Sequence, residues 1–203
     1  MKTRYKIIIV LIVVSISTYS CEDFLNRPPQ GELTQSSFPV SAQDAVQATN
    51  AVYNTMRISS FHQGLFPILD IMSDDAHKGS NPDDQATSIG PFDKFQHIAT
   101  EGTLAGWWNT LYQGIKRANI VIEKVPTINM DDALKTRYIG EAKFLRALYY
   151  FDLVRAWGDV PLYTSTLPDI KMERTPTDQV YDQIIADLEE AIDALPLKTD
   201  YTG

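Results

Sequence analysis

The chain has 203 residues, 44% of them hydrophobic, and a formal net charge of −8. That length suits one domain or part of a larger one, and the apolar content supports a sizeable core and excludes wholesale disorder. The acidic balance excludes nucleic acid as a partner, because a phosphate backbone is met by a basic stripe.

Residues 1–20 read as a secretion signal: Lys2, Arg4 and Lys6 give a positive start, Ile7 to Val14 is unbroken apolar sequence, and Ser15 to Ser20 is mostly small and polar. The apolar run is shorter than the roughly 20 residues that span a bilayer as a helix. Cys21, the only cysteine, follows at the expected cleavage point and has no partner for an internal disulfide. Its setting resembles a lipobox, in which Cys21 becomes the lipid-bearing first residue; Ser20 fits, and Thr18 departs from the usual leucine. Residues 21–40, with Pro28, Pro29, Gly31 and Pro39, are expected to form an extended tether ahead of a helical region over 41–203.

Ser41 suits an N-cap with Asp44 at N3, opening a helix through Arg57 with Ala45, Ala48, Val52 and Met56 inward. From Ser59 to Gly106 the periodicity fails. A short helix or strand near Phe66 to Met72 followed by a surface loop is expected, and so long an irregular stretch in a compact domain points to function. Asp74, Asp75, His77, Asn81, Asp83 and Asp84 crowd that loop. Their oxygens suit a hard cation such as calcium, or sugar hydroxyls, although the spacing does not match a twelve-residue calcium loop and a solvated acidic loop has the same composition. The histidines His62, His77 and His97 lack i,i+4 pairing and cysteine companions, so no metal is assigned.

Thr103 is expected to cap the next helix, with a core stripe of Trp108, Leu111, Tyr112, Ile115, Ala118 and Ile122, closed by Pro126. Trp107, about 100° around the helix from Trp108, is then expected to face the loop and solvent. Sugar rings pack their C–H faces on exposed aromatic rings. Trp107, Phe92 and Phe95 are therefore the candidate ligand platform, with Asp74, Asp75, His77, Asn81 and Asp83 as polar partners. Trp157, near a helix end, reads as packing.

Asp131 or Asp132 can cap the central helix, in which Tyr138 to Leu162 carries two apolar faces. Ala142, Leu145, Tyr149, Leu153 and Ala156 form one; Phe144, Leu148, Phe151 and the stem of Arg155 form the other. Such a helix is expected to be an inner layer, with Asp152 and Arg155 paired at i,i+3 and a stop at Gly158 and Pro161. After an irregular linker, Thr175 as N-cap, Pro176 at N1 and Asp178 at N3 should start a last helix ending at Pro196, with Val180, Ile184, Leu188, Ala191, Ile192 and Leu195 inward. The expected class is all-α.

The string FLRALYYFDLVRAWGDVPL, Phe144 to Leu162, resembles the signature of the SusD/RagB family, surface lipoproteins of the Bacteroidota that capture nutrients. Two further stretches resemble the same family in the same order: WNTLYQGIKRANIVIEKV, Trp108 to Val125, and RTPTDQVYDQIIADLEEAIDALP, Arg174 to Pro196. The resemblance covers nearly all of this chain and the N-terminal part of a longer pattern. It implies tetratricopeptide-like helix pairs with long loop insertions, within a fragment of a larger α-rich domain. It also implies a lipid-anchored, surface-exposed outer-membrane protein that binds a nutrient, a glycan first among the candidates, and delivers it to a SusC-like TonB-dependent transporter. Glu22-Asp23 resembles the signal that sends such lipoproteins to the outer face.

No catalytic residue and no cofactor follow from this reading. A pair of loop carboxylates could serve glycoside hydrolysis, but neither their separation nor a raised pKa is set by sequence, and no nucleophile motif or phosphate loop is present. The alternatives are a helical-repeat scaffold that binds only protein and, less favoured, a secreted glycosidase.

Overall fold

The computed structural model describes residues 38–169 and 171–198. The leader, Cys21 and nearly all of the expected tether lie outside the described residues. Among them there is no strand, only an isolated antiparallel bridge between Val160 and Thr175. No helix there is long and apolar enough to cross a membrane.

Six α-helices carry the fold: α1 (Ala42–Asn54), α2 (Ser59–Gln63), α3 (Gly90–Asp93), α4 (Gly102–Lys124), α5 (Asp132–Trp157) and α6 (Thr177–Ala194). Helix α1 starts as its sequence requires: the Ser41 hydroxyl accepts from the Asp44 N–H at 3.2 Å and the Asp44 carboxylate accepts from the Ser41 N–H at 3.0 Å. Helix α5 begins on the Asp131 carboxylate, which accepts from the Leu134 N–H at 2.9 Å. It ends at Gly158, whose φ of +69° is open to glycine and costly for other residues. Long helices pack on their neighbours in order, α4 on α5 and α5 on α6, with α1 against α4 and α5. That arrangement is compatible with tetratricopeptide-like pairs.

The segment Gly64–Asp70 is a π-helix continuing α2. Pro67 lies inside it, where it supplies no N–H and its ring would crowd the carbonyl four residues back; widening the turn relieves both problems. The Ile71 N–H duly reaches the Phe66 carbonyl, five residues back, at 3.2 Å. Gly64 lies flat against the Trp107 indole, and a Cβ there would collide with the ring. The backbone approach of π-helix to α4 therefore depends on that glycine.

Several expectations are corrected. Helix α4 starts at Gly102, one residue before Thr103, and its N-cap position Glu101 makes no side-chain cap. Thr175 does not cap α6, because the N-cap position falls on Pro176, one residue later than expected, and Thr175 sits outside the helix in the bridge to Val160. The first turn is capped instead from the preceding corner: the Asp159 carboxylate accepts from the Thr177 N–H at 2.9 Å and hydroxyl at 2.8 Å. On α5 the first apolar face is buried apart from Ala156, whereas Phe144 and Phe151 of the second remain exposed among the described residues, as does Ile192 on α6. The second packed side of α5 is built on Arg146, Ala147 and Tyr150.

Asp152 and Arg155 do not close an ion pair; the Arg155 guanidinium lies over the Phe151 ring, 4.9 Å from its centroid. Burial pushes the Asp152 carboxyl up from 3.8 to about 6, with Arg155 pulling the other way. A carboxyl whose folded pKa is raised binds more protons folded than unfolded, so stability is greatest below about pH 4 on this account and falls as pH rises towards 6. Asp152→Asn should accordingly raise stability at pH 7–8 by roughly 1–3 kcal/mol. Denaturant melts at pH 4 and pH 7.5 check this, the gain vanishing at the lower pH.

Candidate functional site

A cleft of about 680 Å³ opens between the π-helix, the end of α5 and the irregular segments on either side. That is an ordinary size for a small-ligand site. Ile68, Leu69 and Met72 give it an apolar floor, Leu104 and Trp108 of α4 one wall, and Arg155, Ala156 and Trp157 of α5 another. His97 and Ala99 enter from the loop before α4, and Arg174 from the segment before α6.

Three indoles meet behind this cleft. Trp157 lies 5.1 Å from Trp107 and 5.2 Å from Trp108, edge-on to the latter at 82°. Trp107 is fully buried, while Trp108 and Trp157 are half-buried and line the cleft. Behind Trp108 the stack runs on through Tyr112, 4.9 Å away, to Tyr163, 5.7 Å further and nearly parallel. The Tyr112 hydroxyl donates to the Pro161 carbonyl at 2.8 Å, and burial with Tyr150 and Tyr163 nearby pushes its pKa far up, so it stays a neutral donor. The two cleft-facing indoles are thus held from behind by packed rings.

The charge of the lining runs against that of the chain. Its titratable groups are Arg155, Arg174 and His97, with no carboxylate among them. Arg174 makes no hydrogen bond or ion pair among the described residues, and Arg155 is held over Phe151. His97 stacks on Phe92 at 5.1 Å and 16°, and its Nδ1 is buried without a partner among the described residues.

The residues singled out from sequence fall into three groups. Trp107 and Phe92 are both 0% exposed, which corrects their assignment as a ligand platform: Trp107 packs on Gly64 and Trp157, Phe92 under His97, and neither ring has a free face. Phe95 is 64% exposed and sits at a φ of +53°, a conformation that costs a bulky residue energy and concentrates at functional positions. Asp74, Asp75, His77, Asn81 and Asp83 are all exposed on the loop. Local bonds shape that loop: Asn81 Oδ1 accepts from the Asp83 N–H at 3.1 Å, and His77 Nδ1 meets Asp93 Oδ1 at 2.9 Å, tying the loop to α3. Among the described residues no three acidic, histidine or cysteine groups are placed to share a metal ion.

Sequence reasoning missed Trp108, Trp157, Arg155, Arg174 and His97 as one lining. On α4 the expected core residues Leu111, Ile115 and Ala118 are buried, but Trp107, Gly114 and Val121 are buried with them while Trp108, Tyr112 and Ile122 are only partly so, which turns the stripe towards Trp107. Gly114 was the usable signal, since a glycine inside a helix marks a close approach; a Cβ there would stand 2.5 Å from the Tyr149 ring.

Comparisons with known proteins bear on this arrangement. Residues 23–202 match the family model SusD-like, described as starch-binding and associating with the outer membrane. A SusD-like protein of Formosa agariphila is 31% identical over 202 residues, covering 95% of this chain and 38% of that protein. Among solved structures, a laminarin-binding SusD-like protein superposes with a TM-score of 0.67 at 34% identity, over 81% of this chain and 37% of that one. A crystal structure with xylogluco-oligosaccharide superposes with a TM-score of 0.64 at 29% identity, over 75% of this chain and 30% of that one. The chain therefore spans little more than a third of the length of such relatives.

Proposed function

Because the chain belongs to the SusD-like family, described as starch-binding and associating with the outer membrane, we propose that it binds a glycan in the Trp108–Trp157 cleft as the capture step of nutrient uptake. The observation that carries this reading is the pair of half-buried indoles, fixed from behind by Trp107 and Tyr112, on the wall of a cleft of about 680 Å³. Stacked C–H faces of a sugar gain from such rings without any rearrangement of the protein. Phe95 and the polar loop residues Asp74, Asp75, His77, Asn81 and Asp83 would meet the ligand at the mouth, where a longer chain of sugars extends beyond the cleft.

On this reading the protein performs no chemistry on its ligand and has no catalytic residue. It sits at the outer face of the outer membrane through a lipid on Cys21, and passes its cargo to a SusC-like TonB-dependent transporter. Names of relatives that include laminarin and a xylogluco-oligosaccharide support a glycan over a peptide. The test is a panel of soluble oligosaccharides, with peptides alongside, titrated against the purified protein by calorimetry. Saturable binding of a saccharide that is returned unhydrolysed is the expected result. Binding of peptides alone would overturn the glycan reading, and binding of neither would favour a scaffold that engages only protein.

A further inference from the structure

The cleft's charge narrows its ligand class, and the narrowing rests on the reading of the cleft as a glycan site. The chain carries 26 acidic residues against 18 lysines and arginines, yet the cleft presents Arg155, Arg174 and His97 and no carboxylate. A neutral sugar needs hydrogen bonds to hydroxyls, which carboxylates accept well; an anionic one is repelled by them.

We propose that the cleft selects acidic saccharides, whose uronate carboxylate or sulfate ester is held by Arg155 and Arg174 while the sugar ring stacks on Trp108 or Trp157. Guanidinium groups suit this, because their planar donors match two oxygens of a carboxylate or sulfate at once. Both are open to such a ligand. Arg174 has no partner among the described residues, and Arg155 is oriented by the Phe151 face while its guanidinium stays exposed. The Asp152 carboxyl, which feels the Arg155 charge, is 6% exposed and closes no ion pair with it. The acidic loop residues Asp74, Asp75 and Asp83 lie outside the lining, so at the mouth they would accept from hydroxyls of flanking sugar units while the charged unit sits between the two arginines. A second hollow, of about 350 Å³ beside Phe66 and His62, contains neither arginine nor carboxylate and offers no such selection.

The experiment titrates three oligosaccharides of matched length against the purified protein at low and high salt: an oligogalacturonate, a sulfated galactan fragment and a neutral laminari-oligosaccharide. The inference expects one or both anionic ligands to bind at least about tenfold more tightly than the neutral one, with the preference shrinking in high salt. Carboxylate and sulfate are told apart by which anionic ligand shows it. Arg155→Gln with Arg174→Gln should remove that preference, lowering affinity for the anionic ligand at least about tenfold more than for the neutral one, while Arg→Lys at both positions keeps part of it. Melting curves confirm that each variant is folded. Equal affinity for neutral and anionic ligands, or an anionic preference that survives both glutamines, overturns the inference and leaves the glycan reading intact. Binding of no saccharide overturns both.

Discussion

Arg146→Ala is expected to lower folding stability by roughly 3–5 kcal/mol, a large share of what a domain possesses. Arg146 and Asp187 are 4% and 1% exposed. The guanidinium donates to both carboxylate oxygens of Asp187, at 2.7 Å from Nε and 2.6 Å from Nη2, joining α5 to α6. Its Nη1 donates to Asn119 Oδ1 of α4 at 2.7 Å, and the Asn119 amide in turn donates to the Tyr163 and Ser165 carbonyls. Alanine leaves the Asp187 carboxyl buried without its guanidinium, with Gln183 at 3.1 Å as its remaining donor among the described residues. The cost comes mainly from that stranded charge and not from the lost pair, so Arg146→Met with Asp187→Leu should recover most of it. Equilibrium denaturation of the three proteins decides: a loss below about 1 kcal/mol for Arg146→Ala would contradict the buried-pair account.

The same network reaches the candidate site. Through Asn119 it pins the segment after Pro161 to α4, and Glu123 holds Thr166 of that segment by its N–H at 2.8 Å and its hydroxyl at 2.6 Å. That segment leads to Arg174 on the cleft, so loosening it should weaken binding without removing any group that touches ligand.

Trp157→Ala and Trp108→Ala should each weaken saccharide binding by about 2 kcal/mol, or roughly 30-fold. The two rings supply the wall on which the ligand stacks, and truncating either leaves a hole that water fills. Trp157→Phe should cost less, because a ring face remains. Phe144→Ala, exposed on α5 about three turns before Arg155 and outside the cleft lining, should leave affinity unchanged and so controls for general damage. Trp107→Ala is expected to act on stability, since the fully buried ring packs on Gly64 and Trp157. Calorimetric titration beside thermal melts separates the two kinds of effect.

Much of the fold was legible because local chemistry dictates it. The Ser41 and Asp44 capping box, the Asp131 cap, the Gly158 stop and the all-α class follow from side chains within a few residues of the positions they control. Features set by distant partners were not legible. Thr175 has the chemistry of a cap, but the bridge to Val160 holds it one residue outside the helix and Asp159 supplies the cap instead. The phase of α4 was misjudged because tryptophan at 107 and at 108 reads equally well as core; only the close approaches at Gly64 and Gly114 decide between them. The cleft joins residues from 68 to 174, too far apart for any motif to connect them. Of the three aromatic platform candidates, Phe95 alone kept an exposed ring, and no local pattern announces its positive φ.

The central claim is that saccharide meets the cleft indoles, and the three tryptophans of this chain provide an internal control. Nitrogen-15 labelling of tryptophan gives one indole N–H signal per residue, each assignable by a Trp→Phe variant. During titration with the best-bound oligosaccharide, the Trp108 and Trp157 signals should shift together along the binding curve while that of buried Trp107 moves least. A saturable titration in which Trp108 and Trp157 stay fixed would contradict the account and place the ligand elsewhere on the protein.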